Sequence, residues 1–430
     1  MATQLQHARN GTVTPTMERA AAAENCPVGL VRGELAAGRA VLPANPAHPV
    51  PRPAVVGRRF RTKVNANLGR SPERSAEGEE LDKLRTALEA GADLVMDLSV
   101  GPDVAAIRKE LLAASPVPLG TVPIYEAVSR LRGDVAAMTP ALLLDVIAAQ
   151  AQQGVDFMTL HAGLLRRLVP LAMQRRMGIV SRGGALLAEW MLRHQRENPL
   201  YEHWDEVLRI CREHDVTVSL GDGLRLGCLA DASDAAQFAE LDVLAELVQR
   251  CRAAGVQAMV EGPGHIPFHE IQANMEREQT VCDGAPFYVL GPVVTDIAPG
   301  YDHISASIGA TAAAFYGASL LCYVTPAEHL GLPTAEEVRE GVIAFRIAAH
   351  AADVARGLPG ARAADDAMAA ARMAFDWDRQ FALALDGAGA RRRYEQTRAC
   401  AEASPDHCSM CGREYCAIRT SRRLHELRSH

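Results

Sequence analysis

Short apolar runs alternate with longer amphipathic stretches from about residue 90 to residue 350, and this alternation constrains the fold more than any other feature of the chain. Between the runs, apolar residues recur every three or four positions, as in helices that bury one face. Alternating strands and helices indicate a parallel sheet. The strand-like runs span residues 92–98, 116–122, 155–161, 178–182, 216–222, 256–262, 287–294 and 318–325.

The number of these units bears on how the sheet is arranged. Eight strand–helix units over roughly 250 residues match a closed (β/α)8 barrel. An open doubly wound sheet is the alternative, because nothing in the pattern requires the sheet to close. We therefore predict an α/β fold and favour the barrel.

Polar or reactive residues stand where nearly every strand-like run ends. Active sites of (β/α)8 barrels form at the C-terminal ends of the strands, so this placement predicts a catalytic face. Any single one of these residues could simply mark the return of polar sequence after a strand, but that explanation is poor for the whole set. The residues are Asp97, Tyr125, His161, Arg182, Asp222, Glu261, Asp296 and Thr325.

Three regions are predicted along the chain. Residues 1–75 are rich in Pro, Ala and Arg and should be mostly irregular, above all the proline-rich stretch 43–53. Residues 76–360 form the barrel, with its substrate and metal sites. Residues 361–430 form a C-terminal region that begins with helices over 361–399, contains a Gly-Ala linker at 386–390 and ends in a basic tail.

Composition and charge exclude several classes of protein. The net charge of −7 argues against nucleic acid as a main partner. No apolar run reaches the roughly 18 residues that span a bilayer, and the first residues have no signal-peptide core. We therefore expect a cytoplasmic protein without a membrane partner. Ten cysteines in that compartment are unlikely to form disulfides, which favours a metal-binding role for clustered ones.

Three cysteines near the C-terminus carry the most specific chemical signal. Cys408, Cys411 and Cys416 stand as Cys-x-x-Cys-x-x-x-x-Cys. Three thiolates hold three irons of a 4Fe–4S cluster and leave the fourth iron open to an exchangeable ligand. A zinc knuckle completed by His407 is about equally compatible with the spacing alone.

Other candidate groups follow the predicted strands. His265 and His329, with Glu261 or water, could bind one divalent metal. Ser181-Arg182-Gly183-Gly184 and Asp222-Gly223-Leu224-Arg225 each combine glycine with anion-binding donors, which suits a phosphorylated or carboxylated small molecule. Asn65 and Asn67 add amides that could contact a substrate, although a simple turn would also explain them. Each of these signals is weak by itself.

Ten segments together resemble the ThiC family of thiamine biosynthesis, the phosphomethylpyrimidine synthase family. The resemblance extends from about residue 12 to residue 422, and the motifs are long and specific. It favours an iron–sulfur cluster on the three cysteines. The segments are VNANLG (64–69), MDLS (96–99), PLGTVPIYEA (118–127), GVDFMTLHAG (154–163), GIVSRGG (178–184), SLGDGLR (219–225), EGPGH (261–265), TDIAPGYDH (295–303), CYVTPAEHLGLP (322–333) and CSMCGREYC (408–416).

The resemblance implies a radical S-adenosylmethionine enzyme that converts 5-aminoimidazole ribotide to hydroxymethylpyrimidine phosphate, with formate and carbon monoxide as by-products. It implies a 4Fe–4S cluster on Cys408, Cys411 and Cys416, an electron donor for that cluster, and one divalent metal (zinc or iron) on His265 and His329. Glu261 and Cys322 would be catalytic, with Cys322 in radical handling. The implied substrate contacts are Asn67, Met96, Tyr125, His161, Ser181, Arg182, Gly183, Asp222, Gly223, Leu224, Arg225, Glu261 and Tyr288. The family also implies a homodimer with exchanged C-terminal tails.

Two alternatives remain beside this interpretation. The chain resembles the short form of the family, and Leu226 and Cys228 replace the usual Pro and Ser beside the substrate loop. A short paralogue, 5-hydroxybenzimidazole synthase of cobamide synthesis, has the same substrate and cluster motif and a different product. A metal-dependent barrel hydrolase is less favoured, because it would need a His-x-His pair ending the first strand, and Met96-Asp97 stands there.

Overall fold

The computed structural model describes residues 2–71, 78–398 and 407–428. The chain divides into two compact units, Met1–Asp353 and Val354–His430. The strands are β1 (Ala40–Val41), β2 (Val56–Gly57), β3 (Lys63–Leu68), β4 (Leu94–Asp97), β5 (Leu119–Thr121), β6 (Phe157–Leu160), β7 (Thr217–Leu220), β8 (Ala258–Gly262), β9 (Phe287–Leu290) and β10 (Leu320–Cys322).

The helices account for most of the remaining described chain. They are α1 (Gln4–Arg9), α2 (Pro15–Ala23), α3 (Val28–Ala36), α4 (Glu79–Ala90), α5 (Val104–Ala114), α6 (Pro123–Arg130), α7 (Pro140–Gln153), α8 (Val169–Ala172), α9 (Arg182–His194), α10 (Pro199–Glu202), α11 (Trp204–His214), α12 (Ala235–Ala254), α13 (Ile271–Val281), α14 (Asp302–Tyr316), α15 (Ala335–Ala355), α16 (Ala363–Ala374), α17 (Trp377–Leu383), α18 (Gly387–Arg398), α19 (Gly412–Tyr415) and α20 (Ala417–Arg428). Among the described residues, none of these helices is both long and apolar enough to cross a bilayer.

Strands β3 to β10 form a closed parallel barrel, which confirms the predicted fold class. Each strand pairs with the next one along the chain, and β10 closes the ring by pairing with β3. Nearly every residue of these strands is buried, because the helices cover the outside and side chains fill the inside. Parallel strands that run in sequence around the ring bring all their C-terminal ends to one face.

Local sequence explains where the covering helices begin and end. Thr139 accepts a hydrogen bond from the Leu142 amide, and Pro140 occupies the first turn of α7. Gly154 ends that helix in the left-handed conformation, with φ of 107°. Helix α12 is bounded in the same way by Asp234 and Gly255. These signals set the lengths of the helices, and burial against the strands stabilises them.

The strand count is correct, but one predicted strand is wrong. Residues 178–182 form no strand: they lead into α9, and the Val180 side chain is 37% exposed. The missing strand is β3, Lys63–Leu68, which lies in the sequence assigned to the N-terminal segment. The long connection between β6 and β7 therefore contains α8 to α11 without a strand among them.

The N-terminal residues are more regular than their composition predicts. Helices α1 to α3 pack around a small apolar cluster that includes Met17, Val31 and Leu35, whereas the proline-rich stretch 43–53 is irregular as predicted. This segment bonds to residues just before three barrel strands: Asp156 before β6, Asp215 before β7 and Gln257 before β8. It therefore covers the N-terminal end of the barrel, opposite the predicted catalytic face.

The second unit is helical, as predicted for residues 361–399, which contain α16 to α18. The predicted linker at 386–390 is wrong as a description of local structure. Gly387 begins α18, and the Asp386 carboxylate accepts a hydrogen bond from the Gly389 amide at 2.9 Å. These glycines therefore lie in a capped helical turn.

Candidate functional site

A cavity of about 70 Å³ opens at the C-terminal ends of the barrel strands, within the first unit. It brings together ten of the residues that the sequence singled out: Asn67, Met96, Tyr125, His161, Ser181, Arg182, Arg225, Glu261, Tyr288 and Cys322. Four others lie beside it. Gly183 and Gly223 form close backbone contacts described below, Asp222 pairs with Arg225, and Leu224 lines a smaller cavity behind the loop.

Glu261, on β8, is a buried carboxylate at the floor of the cavity. Its Oε1 accepts hydrogen bonds from the Thr159 hydroxyl at 2.6 Å and the Ser219 hydroxyl at 2.8 Å. The pKa of Glu261 is raised to about 7, because burial and the nearby Asp222 carboxylate raise it more than Arg225 and the two hydroxyl hydrogen bonds lower it. A carboxyl group with this pKa can hold or release a proton near neutral pH.

Arg225 lies between two buried carboxylates. Its Nη2 is 2.7 Å from Asp222 Oδ1 and 3.5 Å from Glu261 Oε2. Burial alone would lower the pKa of Arg225, but the Asp222 and Glu261 carboxylates raise it, so the guanidinium stays charged. One cation therefore pairs with the Asp222 carboxylate and lies near that of Glu261.

The start of α9 forms a second polar wall. Ser181 caps the helix, its hydroxyl accepting from the Gly184 amide at 3.2 Å, and Arg182 lies 4.8 Å above the Tyr125 ring. The backbone at Gly183 lies against the His161 ring, where an added Cβ would overlap ring atoms. The positive end of a helix dipole, next to an arginine head, favours an anion.

His161 contributes an uncharged, unpaired ring nitrogen. Burial, aided by Arg225, lowers the pKa of His161 to about 3, so the ring is neutral. Its Nδ1 has no hydrogen-bond partner among the described residues, although the ring is buried. A buried polar atom without a partner normally costs free energy, which is consistent with a ligand that supplies the missing bond.

The opposite wall is built from β3, β4, β9 and β10. The Asn67 amide lies 3.0 Å from Cys322 Sγ, and the Asn65 amide donates to the Tyr288 hydroxyl at 2.7 Å. Tyr288 in turn lies 3.5 Å from Met96 Sδ. Burial raises the pKa of Cys322 to about 12, so this side chain is a thiol.

His265 and His329 lie close together at the same end of the barrel. Their ring centroids are 5.4 Å apart. His265 Nδ1 is 2.9 Å from Asp296 Oδ1, and His329 Nδ1 is 2.9 Å from Asp302 Oδ1. Within the described ranges, no three His, Cys, Asp or Glu side chains converge on one metal-ion position.

The second unit contains a separate cavity of about 170 Å³. Cys408, Cys411 and Cys416 all line it, together with apolar atoms that include those of Phe375 and Trp377. A cavity lined by three cysteine sulfur atoms has the soft donor set that iron–sulfur clusters require.

Several residues that form the barrel site were not predicted. Thr159 and Ser219 sit on inward positions of β6 and β7, Asn198 donates to the carbonyl oxygen of His161, and Glu240 accepts from the Leu224 amide at 2.7 Å. Burial raises the pKa of Glu240 to about 8. Polar residues within otherwise apolar strands were the available signal for Thr159 and Ser219; a helical glutamate gave none.

A closed parallel barrel with ionisable groups gathered at one face, joined to a unit with a three-cysteine cavity, defines a cofactor-dependent (β/α)8 enzyme. The chain belongs to the radical SAM ThiC family, whose model matches residues 3–423. Membership implies S-adenosylmethionine and an iron–sulfur cluster as cofactors. The expected family resemblance is confirmed.

Two relatives are similar to this chain over nearly its whole length. A phosphomethylpyrimidine synthase of Natronomonas pharaonis is 60% identical over 97% of this chain and 88% of its own length. One of Halobacterium salinarum is 58% identical with the same coverage. Among solved structures, a Coxiella burnetii dihydropteroate synthase in complex with pteroic acid aligns with 69% of this chain and 94% of its own, at 13% identity and a TM-score of 0.41.

Proposed function

We propose that this chain converts 5-aminoimidazole ribotide to 4-amino-5-hydroxymethyl-2-methylpyrimidine phosphate in thiamine biosynthesis, using S-adenosylmethionine and a 4Fe–4S cluster. The observation that carries the proposal is the 60% identity, over 97% of the chain, to a relative named phosphomethylpyrimidine synthase. The barrel cavity supports it because an arginine at a helix N-terminus and uncharged polar side chains line the same cavity.

The phosphate of the ribotide would bind at the start of α9. Backbone amides near Gly183, the Ser181 hydroxyl and the Arg182 guanidinium provide donors there, and the helix dipole favours negative charge. Arg182 is exposed and is held over the Tyr125 ring, so its charged head is available to a ligand. The loop with Gly223, Leu224 and Arg225 packs against the first turn of α9, where the backbone of Gly184 approaches that of Gly223.

The aminoimidazole would face the opposite wall. Asn67, Met96 and Tyr288 would contact it there, whereas the unpaired Nδ1 of His161 lies near Gly183 at the start of α9. Glu261 would hold or accept a proton at its carboxylate, since its pKa lies near 7. The Cys322 thiol lies next to Asn67 and would be the hydrogen donor closest to the substrate.

The cluster would be held by the thiolates of Cys408, Cys411 and Cys416. A cluster held there, together with S-adenosylmethionine, would supply the one-electron chemistry that generates a radical able to abstract a hydrogen atom from the substrate. The three cysteines line one cavity, and the side chains of Phe375 and Trp377 line it as well. An external electron donor is required.

A single divalent metal, zinc or iron, would bind His265 and His329. The residues fit such an ion, because both rings have Nδ1 occupied by a carboxylate and both Nε2 atoms remain for a ligand. We further propose a cytoplasmic homodimer in which the C-terminal tails are exchanged. Mixing inactive Cys411→Ser subunits with inactive Arg182→Ala subunits tests the exchange, since only shared sites would recover activity.

The second candidate function is 5-hydroxybenzimidazole synthesis from the same substrate. This alternative arises because Leu226 and Cys228 replace the Pro and Ser that are usual in the family. Leu226 is buried and lines the smaller cavity, and Cys228 Sγ lies 3.2 Å from Asp231 Oδ2. Neither side chain lines the main cavity, so neither contacts the proposed substrate position. A hydrolase is less favoured still, because neither β3 nor β4 contains a histidine.

The cluster assignment is tested by replacing one proposed ligand. Anaerobically reconstituted protein should contain about four irons and four sulfides per chain and should form deoxyadenosine when substrate, S-adenosylmethionine and reductant are added. Cys411→Ser should abolish deoxyadenosine formation. Cys26→Ser, which changes a cysteine next to α2 in the other unit, is the matched control and should leave it unchanged. One zinc per chain and no iron would refute the assignment.

A further inference from the structure

The two histidines proposed to bind a metal are each held from behind by a carboxylate. His265 Nδ1 meets Asp296 Oδ1 and His329 Nδ1 meets Asp302 Oδ1, both at 2.9 Å. A neutral histidine that donates its Nδ1 hydrogen to a carboxylate has its lone pair on Nε2. Both rings are therefore fixed in the same tautomer, with Nε2 as the metal-binding atom.

The carboxylates are themselves held by backbone amides. Asp296 Oδ2 accepts from the Leu229 amide at 2.9 Å, and Asp302 Oδ2 accepts from the Gly300 amide at 3.2 Å. Each carboxylate thus uses one oxygen for a backbone amide and the other for a ring. This arrangement fixes the plane of each ring as well as its tautomer.

The charge of this group favours a divalent cation. Asp296 and Asp302 bring two carboxylates beside the ring pair, whose centroids are 5.4 Å apart. A doubly charged ion on the Nε2 side of the rings would be attracted by both carboxylates.

We propose that Asp296 and Asp302 are positioning residues for a divalent metal on His265 and His329. This inference rests on the metal site of the proposed function and adds the residues that set its affinity. Asp302 is 3% exposed at the start of α14, whereas the Asp296 side chain is 37% exposed. Because solvent can replace an exposed partner more easily, Asp302 contributes more than Asp296.

Zinc affinity measures this role without any turnover. Full-length, cluster-filled protein is dialysed anaerobically against buffered zinc, and bound zinc is quantified by mass spectrometry. Losing such a carboxylate typically weakens metal binding by about 10- to 100-fold. Asp302→Asn should therefore lose zinc affinity within that range, and Asp296→Asn should lose less. Asp242→Asn, which changes an exposed partner of Arg277, is the matched control and should bind as the parent does.

One further variant, with both histidines replaced by alanine, separates the possible failures. If His265→Ala/His329→Ala loses zinc while both asparagine variants bind like the parent, the positioning role is refuted and the metal site stands. If the double alanine variant keeps its zinc, the metal site itself fails and the inference fails with it. The unfolding midpoint of metal-free Asp302→Asn should equal that of the parent. Should this variant not fold, the half-exposed Asp296→Asn decides the question by the same comparison.

Discussion

Gly184 lies in the first turn of α9, where its backbone approaches the loop that contains Gly223. A Cβ added at Gly184 would overlap the Gly223 carbonyl oxygen and would lie 2.6 Å from its carbon and 2.8 Å from its Cα. The loop has little space to retreat, because the Leu224 amide is bonded to the buried Glu240 carboxylate at 2.7 Å. Gly184→Ala must therefore shift the start of α9 and this loop apart by about 1 Å or more to reach ordinary carbon contact distances.

The expected effect is large on function and moderate on stability. Misplacing a binding group by about 1 Å can cost on the order of 100-fold in rate, and both segments provide proposed phosphate contacts. Forcing a methyl group into a packed site costs about 1–3 kcal/mol of unfolding free energy. Helix propensity alone predicts the opposite sign, because alanine is favoured over glycine within a helix. A lower unfolding free energy in Gly184→Ala would therefore support the close contact with Gly223, and a higher one would contradict it.

Calorimetric binding of 5-aminoimidazole ribotide and thermal unfolding measure the two effects. Gly33→Ala is the matched control: Gly33 lies within α3, nothing lies within 4 Å of its added Cβ, and it is exposed. It should bind the ribotide normally and gain about 0.5–1 kcal/mol of stability. If Gly184→Ala binds the ribotide as tightly as the parent, the close approach of these two segments does not form the phosphate site.

Two further predictions concern charge. Arg182→Ala should weaken binding of the ribotide by on the order of 2–5 kcal/mol if the pair is buried in the complex, and should leave binding of the unphosphorylated riboside unchanged; equal weakening of both ligands would contradict the phosphate assignment, and Arg193→Ala at the other end of α9 is the control. Burial raises the pKa of Glu278, which is fully buried with Oε1 unpaired, to about 8, against about 4.3 when unfolded. The folded state therefore keeps a proton that the unfolded state loses, so stability should fall as pH rises from about 5 to 8. Glu278→Gln should reduce this fall in chemical-denaturation curves, and an unchanged pH dependence would show that the carboxyl is not protonated in the folded state.

The barrel could be predicted because helices and buried parallel strands differ in the periodicity of their apolar residues. The strand β3 was missed because its polar residues alternate with apolar ones: Val64, Ala66 and Leu68 face the core around the barrel, while Asn65 and Asn67 face the site. This period of two is itself a strand signal. We interpreted Asn65 and Asn67 only as candidate substrate contacts and did not recognise the strand on which they lie.

Residues 178–182 were mistaken for a strand for the reverse reason. Ile179 and Val180 are apolar, but two apolar residues are too few to bury a strand, and Val180 faces solvent. The glycines that follow give the segment its role as the start of α9. Local composition cannot distinguish a strand end from a loop that leads into a helix.

Strand-end polarity predicted much of the site, but it could not predict partners. Asp97 ends β4 as expected, yet its carboxylate accepts from the Ser99 amide rather than lining the cavity. Asp302 and Glu240 lie on helices, and they bond to His329 and to the Leu224 amide. Such contacts depend on how elements pack, which no spacing in a single sequence records.

The central claim is tested most directly by one anaerobic incubation. The reconstituted protein is given 5-aminoimidazole ribotide, S-adenosylmethionine and a reductant, and the products are identified by mass spectrometry. We predict hydroxymethylpyrimidine phosphate together with deoxyadenosine. Formation of 5-hydroxybenzimidazole would contradict the proposed product, and metal-dependent hydrolysis without deoxyadenosine would contradict the radical reaction itself.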